Sequence, residues 1–574
     1  MRLSIRIISS LCAIGLLGYG MLQPEEAYTR WLLCLWAATL LLAVAVWGGQ
    51  QPLPRGTGRS LYNLGAVIAL GFAMISMQLL RQQVVHADNI YNFTFIDPET
   101  GQVTTNIRPV LASQRIIRGR IADRNNRLLV SREVLPSGFV QRTYPILEEG
   151  YDPGAFANII GFFSTRYGQS GLEATYSEFL TGNRGQGMQL IENNLLNRPQ
   201  EGNDLTLTLN AELQARAYAL LTSRGRGSVV VLQPRTGEVL AMATAPSFDP
   251  RGLSFNYSTP DWNLENERIS AYWATINSDG AGQPLLNRPT QGQYPPGSTF
   301  KTFTAVAALE YPQPADPDNI RCLEQLPTEV GAPPVVNAVS GLASLTGDPS
   351  NLERVFAYSC NTAFAQYALR LGTETFERQA ALLDFFRPQD APPRYSRFTD
   401  LATAPSRLYV QENFLARPAA LADTGYGQGQ LLVTPLQMAM LTAAIANDGV
   451  MMQPYLVQQV VRPDGVLIKQ QSPVVIRRAM SSATATRMMG NFKAVADYGF
   501  GSIIREYVPG IPVGGKSGTG EHVPGAVPHA WFIAVAPLDN PRYAVAVMVE
   551  SGGEGSSVGA ALAGEVLAAA FALE

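Results

Sequence analysis

Three apolar runs open the chain, at about residues 7–22, 31–47 and 61–80. The third is long enough to cross a bilayer as a helix, and the first two are a little short. Arg2 and Arg6 precede the first run. Glu25, Glu26 and Arg30 separate it from the second, and Arg55 and Arg59 separate the second from the third. The positive-inside bias predicts a cytoplasmic N-terminus and a cytoplasmic second loop. Three spans then place everything after Arg81 outside. A cleaved secretory signal would also fit the basic start. However, no small-x-small site follows the first run, and two further apolar runs do. Either reading exports the remainder.

From about residue 84 to 224 the pattern is mixed, with short β-like runs between turn residues and no dominant helical period. Residues 204–209 alternate with period two and predict a strand. Asn210 is placed to cap a helix over about 211–222. Residues 227–232 and 238–244 predict two strands joined by a turn-rich connection. Thr434 is placed to cap the next clear helix, with Pro435 in its first turn and Gln437 completing a capping box. Gly449 closes that helix by taking positive φ. Residues 530–535 and 543–550 predict core strands, and 560–573 a final apolar helix. No internal repeat or low-complexity tract is present.

Composition narrows the picture. A length of 574 residues implies two or three units. Charged residues are only 16%, against about 25% in soluble domains, and only seven of them fall in the first eighty residues. A net charge of −3 gives no electrostatic case for a nucleic-acid partner. The cysteines, Cys12, Cys34, Cys322 and Cys360, include no Cys-x-x-Cys. A Cys322–Cys360 pairing is possible but no spacing supports it. His86, His522 and His529 form no zinc-protease pattern. Of 43 basic residues only Lys301, Lys469, Lys493 and Lys516 are lysine. Lysine, unlike arginine, can lose its proton near neutral pH, so each retained lysine asks for a reason.

Two of them sit in motifs. Ser298-Thr299-Phe300-Lys301 is the chain's one Ser-x-x-Lys. On a helix, residues three apart share a face, so Lys301 can take the proton of Ser298. Lys516-Ser517-Gly518-Thr519 offers a cation and two hydroxyls on what reads as an edge strand, a combination suited to a carboxylate. Ser359-Cys360-Asn361 is a Ser-x-Asn, a common pattern that also occurs at Ser254-Phe255-Asn256. Together, in this order and separated by 61 and 157 residues, the three form the set found in β-lactamases and penicillin-binding proteins.

At this point the sequence resembles the class B, monofunctional penicillin-binding proteins. Tyr294-Pro-Pro-Gly-Ser-Thr-Phe-Lys resembles their nucleophile segment. Gly425-Tyr-Gly-Gln-Gly-Gln, Val433-Thr-Pro-Leu-Gln and His529-Ala-Trp-Phe-Ile-Ala-Val-Ala-Pro resemble segments around the last motif. Arg118-Gly-Arg-Ile-Ala-Asp-Arg-Asn-Asn, Gln169-Ser-Gly-Leu-Glu and Asp204-Leu-Thr-Leu-Thr-Leu-Asn resemble the upstream pedestal. Asn126 stands where that pattern usually has Gly, Asn210 where it usually has Asp, and three spans exceed the usual single anchor.

The resemblance implies a mixed α/β transpeptidase fold, with a central antiparallel sheet flanked by helices. A membrane anchor over 1–82 and a β-rich pedestal over 83–224 would precede a transpeptidase domain over 225–574. It implies a D,D-transpeptidase that cuts the D-Ala-D-Ala end of a peptidoglycan stem peptide through an acyl-enzyme, which β-lactams also form. Ser298 is then the nucleophile, Lys301 the base and Ser359 the proton relay. Asn361 holds Lys301 and the peptide amide. Lys516, Ser517, Gly518 and Thr519 hold the terminal carboxylate, and Lys516 keeps the pKa of Lys301 down by charge repulsion. The backbone N–H groups of Ser298 and Thr519 form the oxyanion hole. No metal or cofactor is expected. Some 140 residues between anchor and transpeptidase are too few for a glycosyltransferase with a pedestal, so a polytopic membrane glycan polymerase is the expected partner. The rival readings are a D,D-carboxypeptidase, a β-lactamase, a β-lactam sensor and an inactive scaffold.

Overall fold

The structure is a computed structural model that describes residues 2–24, 27–47, 56–86, 94–96, 103–105, 111–187, 193, 196 and 198–574. Glu25, Glu26 and Arg55, on which the orientation reading partly rests, lie outside them. The chain divides into two units, residues 1–114 and 115–574.

The first unit carries helices α1 (Arg2–Met21), α2 (Tyr28–Trp47) and α3 (Thr57–Leu80). All three are long and apolar enough to cross a membrane. Gly20 allows α1 to approach α2, because a Cβ there would meet Trp31 at 2.8 Å. Arg6 donates to the carbonyl of Ala45, and Trp31 donates to Gln78.

The second unit is built on two sheets. Its first strands are β1 (Ile121–Ala122), β2 (Leu128–Val134), β3 (Val140–Thr143) and β4 (Asp204–Leu207), followed by α4 (Ala211–Thr222). Strands β5 (Gly227–Leu232) and β6 (Val239–Ala245) come next, then helices α5 (Lys301–Glu310), α6 (Leu352–Ala357), α7 (Asn361–Leu382) and α8 (Pro435–Ala446). The chain continues through β7 (Val457–Val461), β8 (Leu467–Gln470), α9 (Ser482–Asp497), β9 (Gly514–Gly520), β10 (His529–Ala536), β11 (Tyr543–Val549) and α10 (Ala560–Phe571).

The central sheet has the order β6-β5-β11-β10-β9 and is antiparallel throughout. Every residue of β5, β6, β10 and β11 is buried, which explains their nearly unbroken apolar runs. Strand β9 is the edge, and it is made largely of small and polar residues. Residues 227–232, expected as a strand, form β5 without change. The strands expected over 238–244 and 530–535 are each displaced or extended by a residue at their ends.

The second sheet has the order β8-β7-β4-β1-β2-β3. Strands β7 and β8 come from residues 457–470, so this sheet crosses the sequence boundary expected at 224/225. The 118–126 segment organises it. Gly119 is required because a Cβ would meet the carbonyl oxygen of Asn203 at 1.7 Å. Arg120 forks onto Asp204 with Nη2–Oδ2 at 2.6 Å. Asp123 accepts from the N–H groups of Asn125, Arg127 and Ala211, and Asn126 takes φ 61° in the turn they enclose. Arg118 and Arg142 both pair with Glu173, at 2.7 and 2.6 Å, and all three are buried.

The helix caps test local chemistry. Asn210 accepts from the N–H groups of Glu212 and Leu213 and starts α4 as expected. Thr434 accepts from Gln437 N–H, and Gly449 has φ 81° beyond the end of α8. The reciprocal half of the expected capping box is absent. Gln437 Nε2 donates to the carbonyl of Leu383 at 2.6 Å, and the Thr434 N–H goes to Ser406 Oγ. Every residue of α8 is buried, so a neighbouring carbonyl that would otherwise lose its donor takes the side chain instead.

Candidate active site

Ser298 lies in a 3-10 turn, Gly297–Phe300, that runs straight into α5. The expectation of a helix is thereby tightened to i,i+3 geometry, which still puts Ser298 and Lys301 on one side. Gly297 has φ 53°, and a Cβ there would meet the Thr519 carbonyl oxygen at 2.1 Å. Glycine is also needed from the facing strand: a Cβ on Gly518 would meet the Pro296 carbonyl at 2.7 Å, and one on Gly520 the Pro295 carbonyl at 2.2 Å. Trp531 Nε1 donates to the same Pro295 carbonyl at 3.0 Å. The nucleophile turn is thus seated on the free edge of β9, and the small residues of both segments are what allow it.

Lys301 begins α5 and is fully buried. Its Nζ lies 3.0 Å from Ser298 Oγ, 2.9 Å from Ser359 Oγ, 2.7 Å from the Ser359 carbonyl and 2.6 Å from Asn361 Oδ1. Lys516 Nζ, also fully buried, lies 3.0 Å from Ser359 Oγ and 3.0 Å from the Ser517 carbonyl. Ser359 Oγ therefore stands between the two lysine nitrogens. Burial pushes the Lys301 pKa well below the usual lysine range, and the charge of Lys516 adds to that. Burial lowers Lys516 to about 7. Among the described residues neither lysine pairs with a carboxylate.

The Ser359-Cys360-Asn361 segment links α6 to α7. Ser359 takes φ 56°, an uncommon value for a residue with a Cβ. Cys360 is joined to Cys322 by a disulfide, so the pairing left open by the spacing is made in the fold. Asn361 Nδ2 donates to the Val336 carbonyl at 2.9 Å, which turns its Oδ1 toward Lys301. The other Ser-x-Asn is elsewhere: Ser254 bonds Tyr144 and the Pro250 carbonyl, and Asn256 N–H bonds Glu265.

A cavity of about 290 Å³ opens over this cluster. Ser298, Ser359, Asn361, Ser517, Gly518 and Thr519 line it, and the two lysines are buried away from its surface. Sequence reasoning assigned no role to several other lining residues: Tyr358, Tyr426, Gln428, Phe500, Glu521 and Glu554. Tyr358 adjoins Ser359, and Glu521 lies two residues beyond the Lys-Ser-Gly-Thr segment, so proximity in sequence could have flagged both. Nothing local could have flagged Phe500 or Glu554.

Comparison with known proteins identifies the family. Residues 227–568 match the penicillin binding protein transpeptidase domain, and residues 118–205 match the penicillin binding protein A dimerisation domain. The chain is 34% identical over 444 residues to the peptidoglycan D,D-transpeptidase PbpA of Mycolicibacterium smegmatis, covering 74% of this chain and 82% of that protein. It is 29% identical to the peptidoglycan D,D-transpeptidase MrdA of Haemophilus influenzae, over 72% of this chain and 64% of that one. The ceftriaxone acyl-enzyme structure of penicillin-binding protein A from M. tuberculosis superposes with a TM-score of 0.69 at 29% identity, covering 80% of this chain and all of that one.

Proposed function

The chain belongs to the penicillin-binding protein transpeptidase family, and from that premise we infer how this peptidoglycan D,D-transpeptidase works. The observation that carries the reading is a buried lysine amine 3.0 Å from the serine hydroxyl, with no carboxylate partner among the described residues to keep it protonated. Neutral Lys301 takes the proton of Ser298 as Oγ attacks the carbonyl of the penultimate D-Ala. The carbonyl oxygen is held by the N–H groups of Ser298 and Thr519, where each preorganised donor is worth about 3 kcal/mol. The proton passes through Ser359 Oγ to the departing D-Ala nitrogen as the C–N bond breaks, leaving an ester on Ser298. Asn361 orients Lys301 and the peptide amide. Lys516, Ser517, Gly518 and Thr519 cradle the terminal carboxylate. A stem-peptide amine then attacks the ester, forms the crosslink and returns Ser298 to the hydroxyl. A β-lactam carries a comparable carbonyl and carboxylate and acylates the same serine. No step calls for a metal or cofactor.

Residues 1–82 serve as the membrane anchor, 83–224 as the pedestal and 225–574 as the catalytic domain, with 457–470 returning to complete the pedestal sheet. The apolar helices support a membrane anchor, and the positive-inside bias supports the cytoplasmic membrane with the N-terminus inside and the catalytic domain outside. The partner is a polytopic membrane glycan polymerase contacted by the three spans. Failure of the membrane segment to co-purify with such a polymerase, under conditions that retain a known class B pair, would count against that part.

The direct test is intact mass after incubation with benzylpenicillin, with Ser298→Ala as control. One adduct on the wild type alone, lasting hours, is expected. Rapid loss of the adduct with penicillin turnover would instead indicate a β-lactamase. Exclusive transfer of a D-Ala-D-Ala donor to water would indicate a D,D-carboxypeptidase.

A further inference from the structure

Among the described residues, Glu521 and Glu554 are the only charged side chains that line the cavity over Ser298. Both are exposed, and neither has a cationic partner within ion-pair distance among the described residues. They reach the cavity from one region. Glu521 lies two residues beyond Thr519 on the chain leaving β9. Glu554 precedes Gly555, which packs so tightly on β9 and its neighbour β10 that a Cβ would meet the Gly518 carbonyl at 2.1 Å and the Trp531 carbonyl at 2.3 Å. Two carboxylates therefore stand beside the stretch of β9 that carries the carboxylate-binding residues.

For donor binding this placement is adverse. The donor peptide and β-lactams both present a carboxylate, and like charges at the mouth of a low-dielectric cleft oppose its entry. The one cationic reactant is the acceptor, whose amine is protonated near neutral pH. Its approach is constrained as well. Aminolysis of the ester retraces acylation, so the incoming nitrogen occupies the place left by the departing D-Ala nitrogen, on the side of Ser359 and β9. The acidic residues lie along β9.

We propose that Glu521 and Glu554 recognise the ammonium group of the acceptor strand and so bias the acyl-enzyme toward crosslinking over hydrolysis. This rests on the transpeptidase reading and deepens it. The glutamates bind and do not react. As the acceptor nitrogen bonds to the acyl carbon and the bond to Ser298 Oγ breaks, the ammonium gives up two protons. One restores the Ser298 hydroxyl, one leaves to solvent, and the third remains on the new amide.

The test uses the full chain in detergent, an anionic D-alanyl thioester donor and two nucleophiles. Nα-acetyl-L-lysine amide is a cationic side-chain amine, and hydroxylamine is largely uncharged at neutral pH. E521Q and E554Q should each lower the aminolysis-to-hydrolysis ratio for the lysine derivative about threefold, the size of one partly solvated charge pair, and the double variant should lower it further. The ratio for hydroxylamine should not move. Acylation by benzylpenicillin should be as fast as in wild type or faster, because a repelling charge is gone, and high salt should shrink the difference between wild type and variants. E521D and E554D should restore part of the loss. Unchanged ratios would overturn the proposal, as would parallel loss of acylation and aminolysis without rescue by Asp. So would a wild type that uses hydroxylamine and ignores the cationic amine. If the wild type is not acylated at all, it is the transpeptidase reading that fails.

Discussion

Two buried clusters of basic residues lie in the same folded unit, and they are built in opposite ways. In the pedestal, Arg118 and Arg142 flank Glu173. In the catalytic centre, Lys301 and Lys516 flank Ser359. Each has two basic side chains around one oxygen-bearing side chain. Arginine cannot give up its proton, so its burial demands a counter-charge. Glu173 supplies one: its own burial would raise its pKa, but Arg142 and Arg118 together pull it below the usual carboxylate range. The lysines meet only neutral oxygens, and burial drives both toward the uncharged amine. A buried charge held by a counter-charge stabilises an arrangement, whereas a buried amine without one becomes a base. The scarcity of lysine in this chain makes the contrast legible, because arginine at position 301 could not act as the base proposed there.

The strongest way to break this comparison is to exchange the residue types. K301R should place a permanent cation in the site and abolish its basicity, lowering acylation by benzylpenicillin by about 10²- to 10⁴-fold. Near-normal acylation rates, read by stopped-flow or mass, would remove Lys301 from the role of base. The reciprocal experiment is E173Q, which leaves two buried guanidiniums without a carboxylate. It should cost about 3–5 kcal/mol of stability in urea unfolding, with the acylation rate of the molecules that remain folded unchanged. A stable E173Q would mean the pedestal cluster is not held by charge.

A pH series sharpens the same point. The folded-state pKa of Lys516 is lowered to about 7 from 10.5. Between those values the unfolded chain binds more protons than the folded one, so stability rises with pH, and the gain is lost as pH falls toward 7. From pH 7 to 9 this group contributes about 2 kcal/mol, and K516M should remove that share of the slope. The series stops short of pH 10 because buried tyrosines with raised pKa values, such as Tyr144 at about 12, act in the opposite sense. The smallest expected effect lies outside both clusters. N210A removes the cap of α4 and should cost about 1 kcal/mol, with no change in acylation rate. A change in rate there would mean the site is coupled to that helix.

Legibility in the sequence followed range. Asn210, Thr434 and the strand at 227–232 were readable because a cap or a buried strand depends on neighbours within a few residues. The capping box at Gln437 failed for the converse reason: a distant carbonyl, Leu383, competed for its side chain. The pedestal sheet could not be bounded from the sequence, since β7 and β8 reach it from more than two hundred residues away in the chain. The Cys322–Cys360 bond likewise depends on a fold that brings together residues 38 apart.

By itself the sequence determined the residue types the chemistry needs: a serine and a lysine three apart, a second lysine, and the glycines at 297, 518 and 520. These are local properties, set by side-chain chemistry and by which backbone conformations a residue tolerates. Only the tertiary structure decided that Ser359 Oγ sits between two lysine nitrogens, that neither amine meets a carboxylate among the described residues, and that Glu521 and Glu554 face the same cavity. Those facts depend on burial and on contacts between distant segments. The proton affinity of a lysine is set by what surrounds it in space, which the order of residues along the chain does not state.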